Sequence, residues 1–300
     1  MRWSLMRGRV GSRGVGPVPE GAVRFDGVGK RFGGRSALRD CTFEVPRGRV
    51  AALVGPNGAG KTTLLMVATG LLRADEGRVE VLGADPARVG MPPGASFVAQ
   101  DKPLYGTFRV REMLRAAAAL NARGRWDAAR AAGLVEAAGI GFDERVGALS
   151  PGGRARVALA IALGRDPELL LLDEPLAELD PLARRQVMGA VLAASAESGT
   201  TVVLSSHVIA DVEDACDHLV LLGGGRVRLD GAVEDLLAQH RVITGATEPD
   251  GAVVHGSRFG RQVEALVRGT GDGEPPTLDD LVMGYLQAED GRVAAAGAPS

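Results

Sequence analysis

Nine consecutive residues have the composition and spacing of a loop that binds phosphate groups. In order, they are Gly55, Pro56, Asn57, Gly58, Ala59, Gly60, Lys61, Thr62 and Thr63. They match the pattern G-x-x-x-x-G-K-[ST], in which backbone N–H groups turn inward around a β-phosphate. Lys61 is expected to reach the β- and γ-phosphates, and the hydroxyl of Thr62 to bind Mg²⁺. An apolar run before the loop and a helical stretch after it favour this interpretation over an ordinary glycine-rich turn. The sequence therefore predicts a site for a nucleoside triphosphate and Mg²⁺.

Two adjacent carboxylates follow the apolar run at residues 169–172. Asp173 is expected to hold Mg²⁺, directly or through water, and Glu174 to act as a base that polarises the attacking water. Alone, this pair could equally be a solvated turn after a core strand. In a chain that also carries the phosphate loop, the two acids predict hydrolysis of the bound triphosphate.

The composition argues against several kinds of protein. The 35 basic and 37 acidic residues nearly cancel, so the broad basic field of a nucleic-acid-binding protein is missing and nucleic acid is not an expected partner. Cys41 and Cys216 are too few for a disulfide scaffold and are expected to be buried thiols in a reducing compartment. No run approaches the roughly 20 apolar residues of a membrane span. Residues 1–20 lack the apolar centre of a secretory signal and are predicted to be a disordered tail.

The pattern of apolar runs predicts an α/β fold. Strands are expected at residues 22–25, 41–45, 50–54, 79–82, 96–99, 169–172, 201–204 and 219–222, and helices at 109–121, 126–138, 153–163 and 182–197. The last three strands are continuously apolar, as expected where helices cover both faces of a parallel sheet. This is the fold class of the P-loop nucleoside triphosphatases: a mostly parallel sheet core, preceded here by an N-terminal antiparallel β subdomain. Strand signals vanish over residues 103–149, which predicts an α-helical insertion subdomain.

The chain is predicted to divide into a main domain at residues 21–240 and a small accessory region at 241–300. Two apolar runs in the accessory region, at 252–254 and 263–267, receive no role from their pattern. A helix is expected further on, because Thr277 and Asp280 have the spacing of a capping pair. One face of that helix would carry Leu278, Leu281, Val282, Tyr285 and Leu286. The final residues are expected to be frayed.

Six residues about twenty positions before Asp173 resemble the signature loop of the ATP-binding-cassette family. They are Leu149, Ser150, Pro151, Gly152, Gly153 and Arg154, where the family usually has Leu-Ser-Gly-Gly-Gln. The resemblance implies that Ser150, Gly152 and Gly153 open a helix that binds the γ-phosphate of ATP held by a second copy of the chain. Taken alone, a serine at a helix start is more often only an N-cap.

Other residues resemble landmarks of the same family, in the same order, across residues 22–237. Gln100 resembles the glutamine that contacts Mg²⁺ or the attacking water and links it to the helical insertion. His207 resembles the switch histidine that touches the γ-phosphate. Asp180 resembles an aspartate at the dimer interface, although it is also a candidate helix N-cap. Phe32 matches the aromatic residue that stacks on adenine, although alone it would be assigned to the core.

The resemblance implies an ATP-hydrolysing subunit that works at the cytoplasmic face of the cell membrane with a separate integral-membrane permease. Two copies would enclose MgATP between them and separate after hydrolysis. The ending at residues 276–286, Pro-Thr-Leu-Asp-Asp-Leu-Val-Met-Gly-Tyr-Leu, is similar to the C-terminal helix of ATPase subunits in bacterial exporters of drugs, antibiotics or lipids. It favours export over import and gives no identity to the cargo.

Three departures from the family pattern keep alternatives open. Pro151 removes one N–H from the signature loop, Arg154 could add a charged contact to nucleotide, and Glu178 stands where a small residue is common. Pro151 and Arg154 motivate one alternative, a nucleotide-dependent assembly factor with weak hydrolysis. Another is a soluble cassette ATPase that acts on ribosomes or broken DNA. Such relatives usually carry two cassettes or a long coiled coil, whereas this sequence has one cassette and no sustained heptads.

Overall fold

The computed structural model of the protein describes residues 21–122, 124–245, 252–259, 262–269 and 271–296. The predicted disordered tail at 1–20 and the last four residues lie outside these ranges. The strands are β1 (Gly21–Phe32), β2 (Arg35–Pro46), β3 (Val50–Val54), β4 (Glu76–Val81), β5 (Ala95–Val98), β6 (Leu169–Leu172), β7 (Thr201–Ser206), β8 (His218–Gly223), β9 (Arg226–Ala232), β10 (His240–Gly245), β11 (Ala252–Phe259) and β12 (Gln262–Arg268). The α-helices are α1 (Lys61–Ala68), α2 (Pro86–Val89), α3 (Val110–Leu120), α4 (Ala128–Ala137), α5 (Pro151–Gly164), α6 (Pro181–Ser198), α7 (Val233–Ala238) and α8 (Leu278–Ala296). Across the described ranges, no helix combines the length and the apolar character needed to cross a bilayer.

Six strands form the central sheet, in the order β5-β6-β7-β3-β8-β9, and only the edge strand β9 runs antiparallel to its neighbour. The four leucines of β6 are all buried. Leu170 and Leu172 join the core on one face of the sheet, and Leu169 and Leu171 join the core on the other. A strand covered on both faces needs apolar residues at every position, which is why the run is continuous. The predicted mostly parallel sheet is confirmed.

The N-terminal residues form a separate antiparallel sheet in the order β2-β1-β4. Phe25 of β1 and Phe43 of β2 stack with their ring centroids 4.7 Å apart. β1 extends well past the predicted strand at 22–25, because it crosses register irregularities near Gly27 and Gly29 and then pairs again. Such bulges interrupt the alternation of apolar residues without ending the strand, so the sequence pattern underestimated its length.

Two helices, α3 and α4, lie within the predicted helical insertion and have a small apolar core of their own. Val110, Met113 and Val135 are buried in it, together with Val157 from α5. Leu159, two residues further along α5, belongs instead to the core beside the central sheet. Since α5 contributes to both cores, it connects the insertion physically to the sheet that carries the phosphate loop.

The C-terminal region forms a third sheet, in the order β10-β12-β11, and the helix α8. The two apolar runs without an assigned role belong to β11 and β12. The predicted capping pair is confirmed, because Thr277 Oγ1 accepts from the Asp280 N–H at 3.1 Å and the Asp280 carboxylate accepts from the Thr277 N–H at 2.9 Å. Leu281 and Val282 of α8 are buried in the same core as Leu170, so the accessory region packs directly on the main domain.

Both cysteines are free, buried thiols, as predicted. Burial raises the pKa of Cys41, and it raises the pKa of Cys216 to about 11. Each side chain therefore stays in its neutral form near neutral pH and acts as a small apolar group.

A fully buried histidine joins β10 to α8. The ring of His240 has its Nδ1 2.7 Å from the carbonyl oxygen of Leu236 and its Nε2 2.9 Å from the hydroxyl of Tyr285. The carbonyl can only accept, so Nδ1 carries the proton and Nε2 accepts from the tyrosine. Burial lowers the pKa of His240, because a charged imidazolium would lose its hydration.

We expect acid to destabilise the protein through this histidine. The folded-state pKa of His240 lies below its unfolded value of about 6.5, so the unfolded state binds more protons in that range. The free energy of unfolding should consequently fall as the pH drops from about 6.5 toward the folded-state pKa. Urea unfolding of the wild type and His240→Gln between about pH 7.5 and pH 5.5 measures this, and the variant should show the weaker pH dependence. Parallel curves for the two proteins would contradict the assignment.

Candidate functional site

The predicted phosphate loop connects β3 to α1, and its glycines are required by shape. Gly58 and Gly60 have φ angles of 79° and 110°, in a region where side chains other than glycine are disfavoured. A Cβ on Gly55 would lie 2.2 Å from the carbonyl oxygen of Leu222, and one on Gly60 would lie 2.8 Å from that of Ala37. The loop is therefore packed tightly against the backbone of β8 and β2, directly before the start of α1.

Lys61 lies inside this loop and is almost fully buried. Its Nζ donates to the carbonyl oxygens of Gly55 at 2.7 Å and Pro56 at 3.3 Å. The same ammonium is 3.2 Å from Oε1 of Glu174. A buried ammonium needs several acceptors, and phosphate oxygens could replace those it has here. The structure thus brings together two residues that the sequence predicted to act on the same triphosphate.

Glu174 also contacts His207, another predicted catalytic residue. Its Oε2 is 2.8 Å from Nδ1 of His207, and the histidine is partly exposed. Glu174 has a φ of 46°, so the backbone turns sharply after Asp173 and gives the two acids different partners. Lys61, Glu174 and His207 follow β3, β6 and β7, three neighbours in the sheet, and they form one continuous chain of contacts. A carboxylate placed in this way can accept a proton from water.

The three predicted metal ligands, Thr62, Gln100 and Asp173, line one cavity of about 580 Å³. Asp173 is 1% exposed, and its Oδ1 accepts a hydrogen bond of 2.8 Å from the hydroxyl of Ser205. A hydroxyl, an amide oxygen and a carboxylate are the hard oxygen ligands that Mg²⁺ prefers. The chemistry of these side chains therefore fits a magnesium ion at this position.

Comparison with known proteins identifies the family of this chain. The family model for the ABC transporter matches residues 38–177. The phosphonates import ATP-binding protein PhnC of Frankia casuarinae is 39% identical over 242 residues, which cover 74% of this chain and 94% of the relative. The daunorubicin resistance ATP-binding protein DrrA3 of Streptomyces coeruleorubidus is 35% identical over 286 residues, which cover 91% of this chain and 87% of the relative. This chain belongs to the ABC transporter family.

A solved structure of the ATP-binding subunit of an ABC transporter confirms the fold. It is 28% identical to this chain, with a TM-score of 0.63, and the match covers 72% of this chain and 91% of that one. The predicted P-loop nucleoside triphosphatase fold and the predicted family are therefore both correct. The ABC domain binds ATP, and hydrolysis of ATP is general to the family.

The residues at the ABC signature and at the following aspartate start two helices. Ser150 caps α5, where its Oγ accepts from the Gly153 N–H at 3.1 Å. Asp180 caps α6, and hydrogen bonds from the N–H groups of Ala183 and Leu182 lower the pKa of its carboxyl. Ser150 and Asp180 are therefore both N-caps, which is the alternative considered for each of them. Their roles toward a second copy of the chain remain predictions. Within the described ranges, no hydrogen bond or ion pair connects Ser150 with Lys61 or Glu174.

Two of the departures from the ABC pattern, Pro151 and Arg154, are accommodated locally. Pro151 is the first residue of α5, where a missing N–H removes no helical hydrogen bond. Gly152 and Gly153 are buried, and a Cβ on Gly152 would lie 3.0 Å from Cβ of Ala183. Arg154 donates to the Leu149 carbonyl at 3.3 Å and lines the same cavity as Thr62. The signature loop therefore keeps its helix start despite the proline.

Phe32, the predicted adenine-stacking residue, lies at the end of β1 and is 50% exposed. The alternative considered from the sequence, that Phe32 belongs to the core, is therefore wrong. Nζ of Lys30 is 5.6 Å from its ring centroid and forms an ion pair of 2.7 Å with Asp75. A half-exposed aromatic ring at the end of a strand is suited to stacking on a ligand.

Sequence reasoning missed an ion pair that joins two of the ABC loops. Nη1 of Arg184 is 2.6 Å from Oδ1 of Asp211, and Nε of the same arginine donates to the Leu179 carbonyl at 3.1 Å. The loop before Asp180 is thereby tied to the segment that follows His207. Neither residue belongs to a short motif, so nothing in the sequence marks the pair before the fold is known.

Proposed function

We propose that this chain is the ATP-hydrolysing motor of a transporter, in which two copies enclose MgATP and drive a separate membrane permease. The observation that carries the proposal is the contact chain Lys61–Glu174–His207, with distances of 3.2 Å and 2.8 Å, at the start of the phosphate loop helix. In it an ammonium and an imidazole each contact the same carboxylate. Such a set is suited to the attack of water on a γ-phosphate.

Each residue has a defined part in the proposed reaction. Phe32 stacks on the adenine, and the residues Gly55 to Thr63 enclose the phosphates. Thr62, Gln100 and Asp173 would hold Mg²⁺, which when bound would supply positive charge to the phosphate oxygens. Glu174 accepts the proton of the attacking water, whose oxygen bonds to the γ-phosphorus as the bond to the β–γ bridging oxygen breaks and ADP leaves. His207 holds the glutamate and contacts the γ-phosphate. Ser150, Gly152 and Gly153 of the second copy complete the site, with Asp180 at the interface between the copies.

For the direction of transport we propose export. The alignment with the daunorubicin resistance protein covers 91% of this chain, whereas that with the phosphonates importer covers 74%. The longer alignment leaves 9% of this chain unaligned, which is less than the accessory region at 241–300 contains, so it includes part of that region. This supports a relationship with drug-resistance subunits beyond the cassette itself. A small molecule or lipid is the proposed cargo.

The surface that meets the permease is proposed to lie at the cavity beside Gln100, at the cytoplasmic face of the membrane. This cavity has an apolar side formed by Met66, Leu71 and Phe97, and the Leu71 side chain is 63% exposed. An exposed apolar group beside a functional loop is typical of an interaction site. Movement of Gln100 during hydrolysis would then pass directly to the partner.

Replacement of Leu71 by Arg should release the chain from its permease. We expect the membrane-bound fraction, measured in cells that co-express the proposed permease, to fall about tenfold or more. Leu120→Arg is the matched control, because Leu120 is 85% exposed at the end of α3 and does not line the cavity. Thermal unfolding should show both variants folded. Equal membrane binding of wild type and Leu71→Arg would refute this docking surface.

A further inference from the structure

Ser205 is a fully buried residue of β7 whose hydroxyl lies between the two acidic residues that follow β6. It donates to Oδ1 of Asp173 at 2.8 Å, and it accepts from the backbone N–H of Glu174 at 2.8 Å. The directions are fixed by chemistry, because a carboxylate accepts, an N–H donates and a hydroxyl carries one proton. Both acids are thus tied to one oxygen atom.

We propose that Ser205 is a positioning residue, which orients Asp173 for binding Mg²⁺ and Glu174 for accepting a proton from water. The inference rests on the function proposed above and adds a role for Ser205, which lies two residues before His207.

The register of the central sheet explains why a β7 residue reaches this point. Pairing between β6 and β7 ends at Leu172 and Leu204, so Ser205 and Asp173 are the next residues on the two strands. On its other side Ser205 pairs with Leu53 of β3, two residues before Gly55. Ser205 is therefore fixed between the strand of the acids and the strand of the phosphate loop.

The bond to Asp173 leaves the carboxylate with one oxygen engaged and one available. Within the part of the chain that the structure describes, Ser205 is the one side chain within hydrogen-bond distance of this carboxylate. Hydrogen bonds to metal-binding carboxylates fix their orientation, and losing one typically reduces metal affinity about 10- to 100-fold. Ser205 is placed to supply that bond.

The bond to the Glu174 N–H supports an unusual backbone conformation. The φ of 46° at Glu174 lies in the left-handed region that non-glycine residues rarely adopt. Such conformations persist when surrounding contacts hold them. By accepting from this N–H, Ser205 helps to keep the turn that directs the Glu174 side chain to Lys61 and His207.

The chain offers a matched control for removing this hydroxyl. Ser96 is 1% exposed in β5 of the same sheet, and its Oγ has no hydrogen-bond partner among the described residues. Ser205→Ala and Ser96→Ala therefore delete the same atom from similarly buried positions. Only the first deletion removes bonds to the acids. Ser205→Thr keeps a hydroxyl and serves as the rescue variant.

The first measurement is the affinity for a non-hydrolysable ATP analogue, by calorimetry, with Mn²⁺ and with a chelator. The ratio of the affinity with Mn²⁺ to the affinity with chelator measures what the metal contributes. In Ser205→Ala we expect this ratio to be about tenfold or more below that of the wild type, while the affinity in chelator stays the same. Ser96→Ala should match the wild type, and Ser205→Thr should recover most of the loss. Retained binding in chelator also demonstrates that the phosphate loop is folded.

The second measurement needs neither metal nor nucleotide. Hydrogen exchange at the amide of Glu174 should accelerate about tenfold or more in Ser205→Ala, because its acceptor is gone. Exchange there should be unchanged in Ser96→Ala.

The outcomes separate this inference from the proposed function. A wild type that gains no affinity from the metal would refute the proposed function. A wild type that does gain affinity, beside a Ser205→Ala protein with the same gain and the same exchange rate, would overturn the role of Ser205 alone. If Ser205→Ala also loses nucleotide binding in chelator, Ser205→Thr becomes the deciding variant. Wild-type affinities in Ser205→Thr would support the role of the hydroxyl. A folded Ser205→Thr protein with the same loss as Ser205→Ala would overturn it.

Discussion

Glu174→Gln is expected to lower ATP turnover by about 10²- to 10⁴-fold, because an amide cannot accept the proton of the attacking water. The side chain keeps its size and can still contact Lys61 and His207. Binding of MgATP should therefore persist, and a stable dimer should accumulate because the γ-phosphate that joins the copies is not removed. Steady-state phosphate release measures the first effect, and gel filtration with MgATP measures the second.

Glu168→Gln is a suitable control for that change. Glu168 lies just before β6, at the opposite end of the strand from Glu174, and forms an exposed ion pair of 3.1 Å with Arg47. Exposed pairs contribute about 1 kcal/mol or less, so turnover and oligomeric state should match the wild type. A Glu174→Gln protein as active as this control would remove Glu174 from the role of base.

Two inactive variants, Lys61→Met and Ser150→Asp, are expected to restore activity when they are mixed. Asp remains a good N-cap for the Gly153 N–H, while its negative charge faces the triphosphate of the second copy at a cost of several kcal/mol, which is about 10²-fold or more in activity. Ser150→Asn is the neutral control, because it caps the helix equally well without the charge. Each variant alone should hydrolyse almost no ATP, and Ser150→Asn should retain most activity.

The mixture tests whether one site is built from two chains. In a random mixture about half of the dimers contain one chain of each kind, and each such dimer has one site with both Lys61 and Ser150 intact. Recovery of up to about a quarter of the wild-type sites is therefore expected. If the γ-phosphate were enclosed within one copy, every site would depend on its own chain alone. The mixture would then contain no site that is absent from the two separate proteins. If the mixture released phosphate no faster than the sum of the rates of the two variants measured separately, the shared site would be contradicted.

The sequence predicted the residues whose roles depend on local spacing. The phosphate loop needs consecutive residues and a flanking strand and helix, so Lys61 and Thr62 could be placed without knowledge of the fold. Continuous apolar runs such as that of β6 identify strands buried on both faces. The family resemblance then supplied the order of Gln100, Ser150 and His207, which spacing alone does not provide.

What the sequence could not predict depends on contacts between distant segments. Ser205 acquires its partners from the register of β7 beside β6, and Arg184 meets Asp211 only after α6 packs near the segment following His207. The length of β1 was underestimated because bulges break the alternation of apolar residues. The accessory sheet was missed because short strands of mixed composition give weak signals, and their pairing is set by packing on the main domain.

The two native cysteines have a practical consequence for studying motion between the copies. Their thiols are hidden and hold their protons near neutral pH, with the pKa of Cys216 raised to about 11. Maleimide reagents react with accessible thiolates, so a cysteine introduced on the surface would be modified in strong preference to Cys41 or Cys216. Fluorophores or spin probes could thus be attached at a chosen point of the unaltered background, and opening and closing followed as a change in the separation of two probes.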